Sequence, residues 1–192
     1  MEFEFGRAVP GSPRQAGRAP DPDALLAAVR AGRSEALAEL YATHAQQVFD
    51  VPYAMTVSGE EAEDVVQDVF MGLPEALRSF DARGSFEGWL RRLAVRTVML
   101  RLRSERRRSR RHQQAVRESR LSARPQPVED RLTLEAALAR MAEDLRVVYV
   151  LREVEGYTHA EIAELVGISR GASEVRLHRA RRFLRERLKG RI

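Results

Sequence analysis

The chain of 192 residues contains no cysteine, which excludes disulfides, thiol nucleophiles and thiolate metal sites. Its four histidines, His44, His112, His159 and His178, stand singly, and that leaves little for a metal centre or for acid–base chemistry. Lysine is nearly missing as well: of 33 basic residues only Lys189 is not an arginine. Long apolar runs are also lacking. Runs such as Val147 to Leu151 fall far short of the roughly 20 residues of a membrane-spanning helix. No hydrophobic stretch lies between a basic start and a small-residue cleavage site, so an export signal is not expected and a cytoplasmic location is. There is no phosphate-cradling glycine loop, no nucleophile elbow, no strand-period alternation and no repeat of fixed period. These absences point away from an enzyme: no catalytic residue, no metal and no cofactor is expected.

What remains is charge laid on helical periodicity. A composition of 44% hydrophobic and 32% charged residues is ordinary for a soluble protein, while a net charge of +5 and a pI near 10.3 favour an acidic partner. The most specific stretch is Tyr157 to Leu188. Thr158 followed by Glu161 is a capping box, opening a short helix with Ile162, Ala163, Leu165 and Val166 on its apolar side. Gly167 stops it, Ile168 can fill the corner, and Ser169 caps a second helix in which Leu177, Ala180, Leu184 and Leu188 form a stripe. Two helices joined by a three-residue corner make a helix-turn-helix, which places its second helix in a major groove. From Arg170 to Ile192 eight arginines and one lysine stand against Glu174 and Glu186, a net of +7. Duplex DNA is the polyanion such a helix suits, because each phosphate it neutralises releases condensed counterions.

Upstream, residues 1–20 are rich in Gly, Pro and Arg without apolar periodicity, and are expected to be a disordered tail. Asp21 to Arg33 reads as a short helix carrying Leu25, Leu26 and Val29. A longer helix starts at Ser34, and Pro52 should kink or break it. Ser58 and Glu61 supply another capping box, and Gly72-Leu73-Pro74 should interrupt the helix that follows. Between Ser58 and Asp81 seven acids face one base, Arg78, a net of −6, so the acidic, partly apolar helix in this stretch cannot be the DNA face. Ser85 caps a helix from about Phe86 to Arg107 with Trp89, Leu93, Val98 and Leu100 inward. Its basic end, seven arginines against Glu105 between Arg101 and Arg111, runs into a Pro-interrupted linker. Helices resume at Leu132–Met141 and Asp144–Glu155. Leu37, Leu40, Val66, Leu93 and Leu184 are expected core positions. The fold class is therefore all-α: two small helical domains joined by a flexible basic linker, the C-terminal one a helix-turn-helix. The expected divisions are 1–20 (tail), 21–107, 108–130 (linker) and 131–192.

The order of these features is similar to that of bacterial RNA polymerase sigma factors of the extracytoplasmic-function group. It is carried by Glu60 to Phe70 (EEAEDVVQDVF), Phe80-Asp81, Ser85-Phe86, Trp89-Leu90-Arg91, the Arg-rich helix end, a linker and the closing RLHRARRFLRERL. The resemblance spans roughly Ala24 to Leu188. It implies a first domain that binds core RNA polymerase and melts the minus-ten promoter element, and a second that reads the minus-thirty-five element as duplex. The polymerase-binding residues it implies are Glu63, Asp64, Val65, Gln67, Asp68 and Phe70. For the minus-ten DNA they are Phe80, Asp81, Arg83, Ser85, Phe86, Arg92 and Arg96, since melting needs aromatic faces for unstacked bases and cations for the displaced strand. For the minus-thirty-five DNA they are Arg170, Ser173, Glu174, Arg176, His178 and Arg179. Arg176 is the foremost candidate for a base contact, because arginine spans both major-groove acceptors of guanine. Arg96 and Leu100 stand where such factors usually carry Asn and Asp. The partners implied are core RNA polymerase, promoter DNA and an anti-sigma factor, with no membrane insertion. The alternative is a helix-turn-helix transcription regulator that acts without docking on polymerase.

Overall fold

The computed structural model describes residues 22–81, 84–115 and 134–188. The expected tail, most of the expected linker, Asp21, Leu132 and Arg83 lie outside these. Among the described residues every regular element is helical: α1 (Pro22–Arg30), α2 (Ser34–Thr56), α3 (Gly59–Ala76) with a 3-10 turn (Leu77–Ser79), α4 (Phe86–Ala115), α5 (Leu134–Ala139), α6 (Glu143–Tyr149) widening into a π turn (Val150–Val154), α7 (His159–Val166) and α8 (Arg170–Arg187). None is long and apolar enough to cross a membrane.

Two compact units result. The first takes the described residues up to Tyr53 together with Ser58–Thr97; the second takes Ala54–Val57 together with the described residues from Val98 on. In the first unit Leu26, Val29, Leu40, Val48, Val65, Val66, Val69, Leu73, Leu77, Leu90 and Val95 are buried. Leu37 and Leu93, expected in the core, are only half-buried. In the second, Ala137, Leu138 and Met141 pack with Ala180 and Leu184 of α8, flanked by Leu134, Leu145, Tyr149, Phe183 and Leu188.

Several expectations change here. α2 runs unbroken through Pro52 and α3 through Gly72-Leu73-Pro74. A proline removes one intrahelical hydrogen bond. Both prolines sit close to the end of their helix, where buried neighbours, Val51 and Met55 in α2 and Leu73 and Leu77 at the end of α3, hold the last turns against the core. α4 does not stop at Arg107 but continues to Ala115. Between Trp89 and Ala115 there is neither Gly nor Pro, and Arg, Glu and Gln are good helix formers. Leu100, expected inward, is 64% exposed. The inward stripe of α4 is instead Leu90, Ala94, Val95, Val98, Met99 and Leu102, so the helix is rotated from the expected phase.

The second unit holds a buried arginine that sequence patterning missed. Arg146 Nη1 donates to the carbonyls of Leu138 and Met141, both at 3.1 Å, where α5 ends. Its Nε donates to Met55 O at 2.7 Å and Nη2 to Thr56 O at 3.2 Å. Carbonyls at helix ends lack intrahelical donors, and one guanidinium supplies several in a fixed fork. Just beyond, Val57 has φ 58°, a left-handed conformation that a β-branched residue adopts only under strain.

Candidate nucleic-acid interface

The acidic surface is one face of α3. Ser58 caps the helix, its Oγ accepting from Glu61 N–H at 3.2 Å. From there Glu60, Glu63, Asp64, Gln67, Asp68 and Met71 recur at helical spacing and all are exposed. Val65 and Phe70, named with them as binding residues, face the core instead, and Phe70 packs edge-on to Tyr41 with ring centroids 5.0 Å apart. Met71, 73% exposed, is the apolar residue the surface does present, and sequence reasoning overlooked it. The signal was available: it falls three residues beyond Asp68 and seven beyond Asp64, on the same face.

The second candidate region gathers around the corner before α4. Arg30 Nε donates to Leu77 O at 3.1 Å and its Nη2 to Phe80 O at 3.2 Å, which fixes the chain as it leaves α3. Ser85 then caps α4, its Oγ accepting from Gly88 N–H at 3.0 Å. Phe80, Phe86 and Trp89 converge, with centroid separations of 5.1 Å for Phe80–Trp89, 5.9 Å for Phe86–Trp89 and 6.0 Å for Phe80–Phe86. His44 joins them edge-on to Phe86 at 5.3 Å. All four rings are half-buried, so Trp89 is a member of this cluster and not a core side chain. Asp81, Ser85, Arg92 and Arg96 are exposed around it, and Arg83 lies outside the described residues. In the same unit burial pushes the Asp50 carboxyl above its ordinary value, while the hydrogen bond from Gln46 (2.8 Å) and the charge of Arg91 pull it back.

The third region is the helix-turn-helix, and its corner forms as the sequence dictates. Glu161 N–H donates to Thr158 Oγ1 at 3.3 Å and Thr158 N–H to Glu161 Oε2 at 2.8 Å. These Thr158 donors, hydroxyl first and then backbone, hold the Glu161 carboxyl below the usual glutamate range. Gly167 ends α7 at φ 74°, a conformation that costs glycine nothing. Ser169 caps α8, with Ala172 N–H donating to its Oγ at 3.1 Å. Behind α8, Arg181 pairs with Glu153 at 2.8 Å. Burial and the Glu153 charge push the Tyr149 hydroxyl up, and Arg181 partly offsets them.

α8 buries Ser173, Leu177, Ala180 and Leu184. Ser173, expected on the DNA face, is instead fully buried. Its Oγ lies 2.9 Å from His159 Nδ1 and ties the two helices of the motif together. Arg176 is less open than expected: 26% exposed, it pairs with Asp144 at 3.5 Å, and its Nη1 is buried without a hydrogen-bond partner. The outer face instead carries Arg170, Gly171, Glu174, Val175, His178, Arg179 and Arg182, all exposed. Arg170 and Glu174 pair with each other at 3.0 Å, as do Arg182 and Glu186. Such exposed pairs contribute little, so a phosphate can displace the carboxylate.

Sequence comparison places these regions in a known context. The Sigma-70 region 2 profile matches residues 40–108 and the Sigma-70, region 4 profile residues 131–184. ECF RNA polymerase sigma factor SigE of Mycolicibacterium smegmatis is 33% identical over 159 residues, covering 78% of this chain and 60% of the relative, so the chain spans about three fifths of that protein's length. RNA polymerase sigma factor CarQ of Myxococcus xanthus is 32% identical over 161 residues, covering 83% of this chain and 92% of the relative. The fold resembles that in the co-crystal structure of the sigma factor RpoE with the anti-sigma factor NepR from Bartonella quintana, with a TM-score of 0.54 and 23% identity over 80% of this chain and 97% of that one.

Proposed function

The chain belongs to the extracytoplasmic-function group of the sigma-70 family, and we propose that it starts promoter-specific transcription by dividing the task among the three surfaces. The exposed acidic face of α3, with Asp64 and Asp68 around Met71, docks on a basic, partly apolar surface of core RNA polymerase. Opposed charge steers and orients that encounter, and the exposed methionine supplies apolar area at its centre. The Phe80, Phe86 and Trp89 rings accept bases that leave the stack as the minus-ten element opens, while Arg92 and Arg96 hold the displaced strand. The outer face of α8 enters the major groove of the minus-thirty-five element. In this reading residues 21–107 form the first domain, 108–130 the tether and 131–192 the second, with α4 reaching into the tether.

The observation that carries this reading is the coexistence, in one chain, of an exposed carboxylate face on α3 and an exposed arginine face on α8. A protein that only bound DNA has no use for the former. The chemistry of RNA synthesis then belongs to the polymerase, and the factor works in the cytoplasm as a specificity subunit. A structural relative is held by an anti-sigma factor, and an inhibitory partner of that kind is proposed here too. Pull-downs from native cells that recover polymerase alone would count against it.

Run-off transcription on genomic fragments, with and without this protein added to core polymerase, tests the whole. Discrete transcripts should appear only with it, and should vanish when Asp64 and Asp68 are changed to Arg although duplex binding persists. Selective duplex binding without any transcript would instead identify a DNA-binding regulator that does not dock on polymerase. With about five phosphate contacts, the logarithmic salt slope of binding is expected near −4.5. A slope near zero would exclude the DNA-binding role.

A further inference from the structure

The outer face of α8 has an apolar centre. Val175 is 50% exposed, on the side of the helix opposite Ser173, Leu177 and Ala180. One turn before it stands Gly171, where an added Cβ would meet nothing within 4 Å, so the helix surface is bare there and another body can approach the backbone closely. One turn after it stand His178 and Arg179, both exposed, and among the described residues Arg179 has no ion-pair partner. The patch is thus a stiff, branched hydrocarbon with Arg179 one turn on and Arg182 a further turn beyond it, both exposed.

We propose that Val175 reads a thymine, through its 5-methyl group, in the major groove of the minus-thirty-five element. The assignment rests on the groove-reading role of α8 given above. Charge selects the occupant: the exposed Arg179 and Arg182 on the same face, and the net basic charge of α8, suit a polyanion, not a lipid tail or an apolar protein surface. Chemistry then selects the base. The thymine methyl is the one apolar group that a base pair displays in the major groove. Valine offers neither donor nor acceptor, so placing it against guanine, adenine or cytosine would leave a desolvated polar edge without a partner. Its χ1 is stiff on a helix, so little side-chain freedom is lost on contact. Direct base recognition thereby moves from Arg176, which is tied to Asp144, to the middle of the exposed face.

The test uses holoenzyme assembled from the full chain and core RNA polymerase, selecting from duplexes randomised upstream of a fixed minus-ten region. Each thymine of the selected minus-thirty-five sequence is then replaced by deoxyuridine, which deletes only the methyl. One position should lose about fourfold in affinity, the effect of burying one methyl group. With V175A holoenzyme the same replacement should make no difference; because Val175 is half exposed, that variant keeps its fold. The assignment is overturned if no common thymine is selected, if every deoxyuridine duplex binds as well as its parent, or if V175A retains the fourfold loss. If the holoenzyme selects no duplex at all, the groove-reading role of α8 itself fails, and this assignment with it.

Discussion

The two regions proposed to face DNA are built by opposite strategies. The ring cluster before α4 is assembled from distant parts of the chain: Arg30 reaches carbonyls 47 and 50 residues away, and His44 meets Phe86 across a comparable distance. The α7–α8 corner is closed by neighbours, with Thr158 and Glu161, and Ser169 and Ala172, each three residues apart, and His159 and Ser173 fourteen apart. The chemistry differs in parallel. The first region offers aromatic faces, suited to bases that have left the stack, and the second offers edges and cations, suited to an intact duplex. A promoter must be found closed and used open, and on the proposed reading the two surfaces match those two states.

That separation can be broken by mutation. The largest effect is expected from Phe80→Ala, which should lower transcription from a closed promoter roughly 5- to 150-fold, the contribution of one base stacked on an aromatic ring. A template with its minus-ten region already unpaired should recover part of the loss, and binding to a minus-thirty-five duplex should be unchanged. A parallel loss of duplex binding would show that the regions are not separable. Ser173→Ala should act on the other side only, removing a buried hydrogen bond at a cost of about 1 kcal/mol. Thermal melting would register it, while opening of a pre-bound promoter should be unaffected. Val57→Gly lies in neither region. Relieving its left-handed strain should raise stability by about 1 kcal/mol without altering either kind of DNA binding.

The smallest expected effect is confined to the first turn of α7. The folded-state value of the Glu161 carboxyl is depressed, so its contribution to stability is present above its ordinary value of 4.5 and is lost as pH falls through the folded value below that. Amide exchange at Glu161 and Ile162 should therefore accelerate only in that acid window. Glu161→Gln should remove the pH dependence. Acceleration beginning near neutral pH would mean that the capping box does not hold this turn.

The same contrast explains what could be read from the sequence. The helix-turn-helix was legible almost residue by residue, because the cap, the left-handed glycine and the apolar stripe are local signals. The all-α class and the acidic face of α3 were legible from periodicity and charge. What escaped depends on packing. Pro52 and Pro74 break an isolated helix, yet buried neighbours hold α2 and α3 intact. Val65 and Phe70 belong to an acidic stretch but lie on its inner side, and Leu100 turns outward because α4 is phased by Leu90, Ala94 and Val98. Ser173 and Arg176 looked like DNA contacts by residue type. The structure adds their partners, His159 for Ser173 and Asp144 for Arg176. Arg146 gave no signal at all, since its partners are backbone carbonyls.

The short spans of the α7–α8 corner also set an order in time. Loops of about ten residues close within roughly 10–100 ns and lose little chain entropy. The corner is therefore expected to form before α5 finds Ala180 and Leu184 on α8, a contact that spans some forty residues. Pulse-labelled hydrogen exchange during refolding should protect the Ser173 and Leu177 amides ahead of that of Leu138; the reverse order would show that the corner needs the rest of the unit as a template. If the expected order holds, the hairpin proposed to read the promoter is a nucleus for its unit, and a substitution there slows folding as well as weakening the proposed recognition.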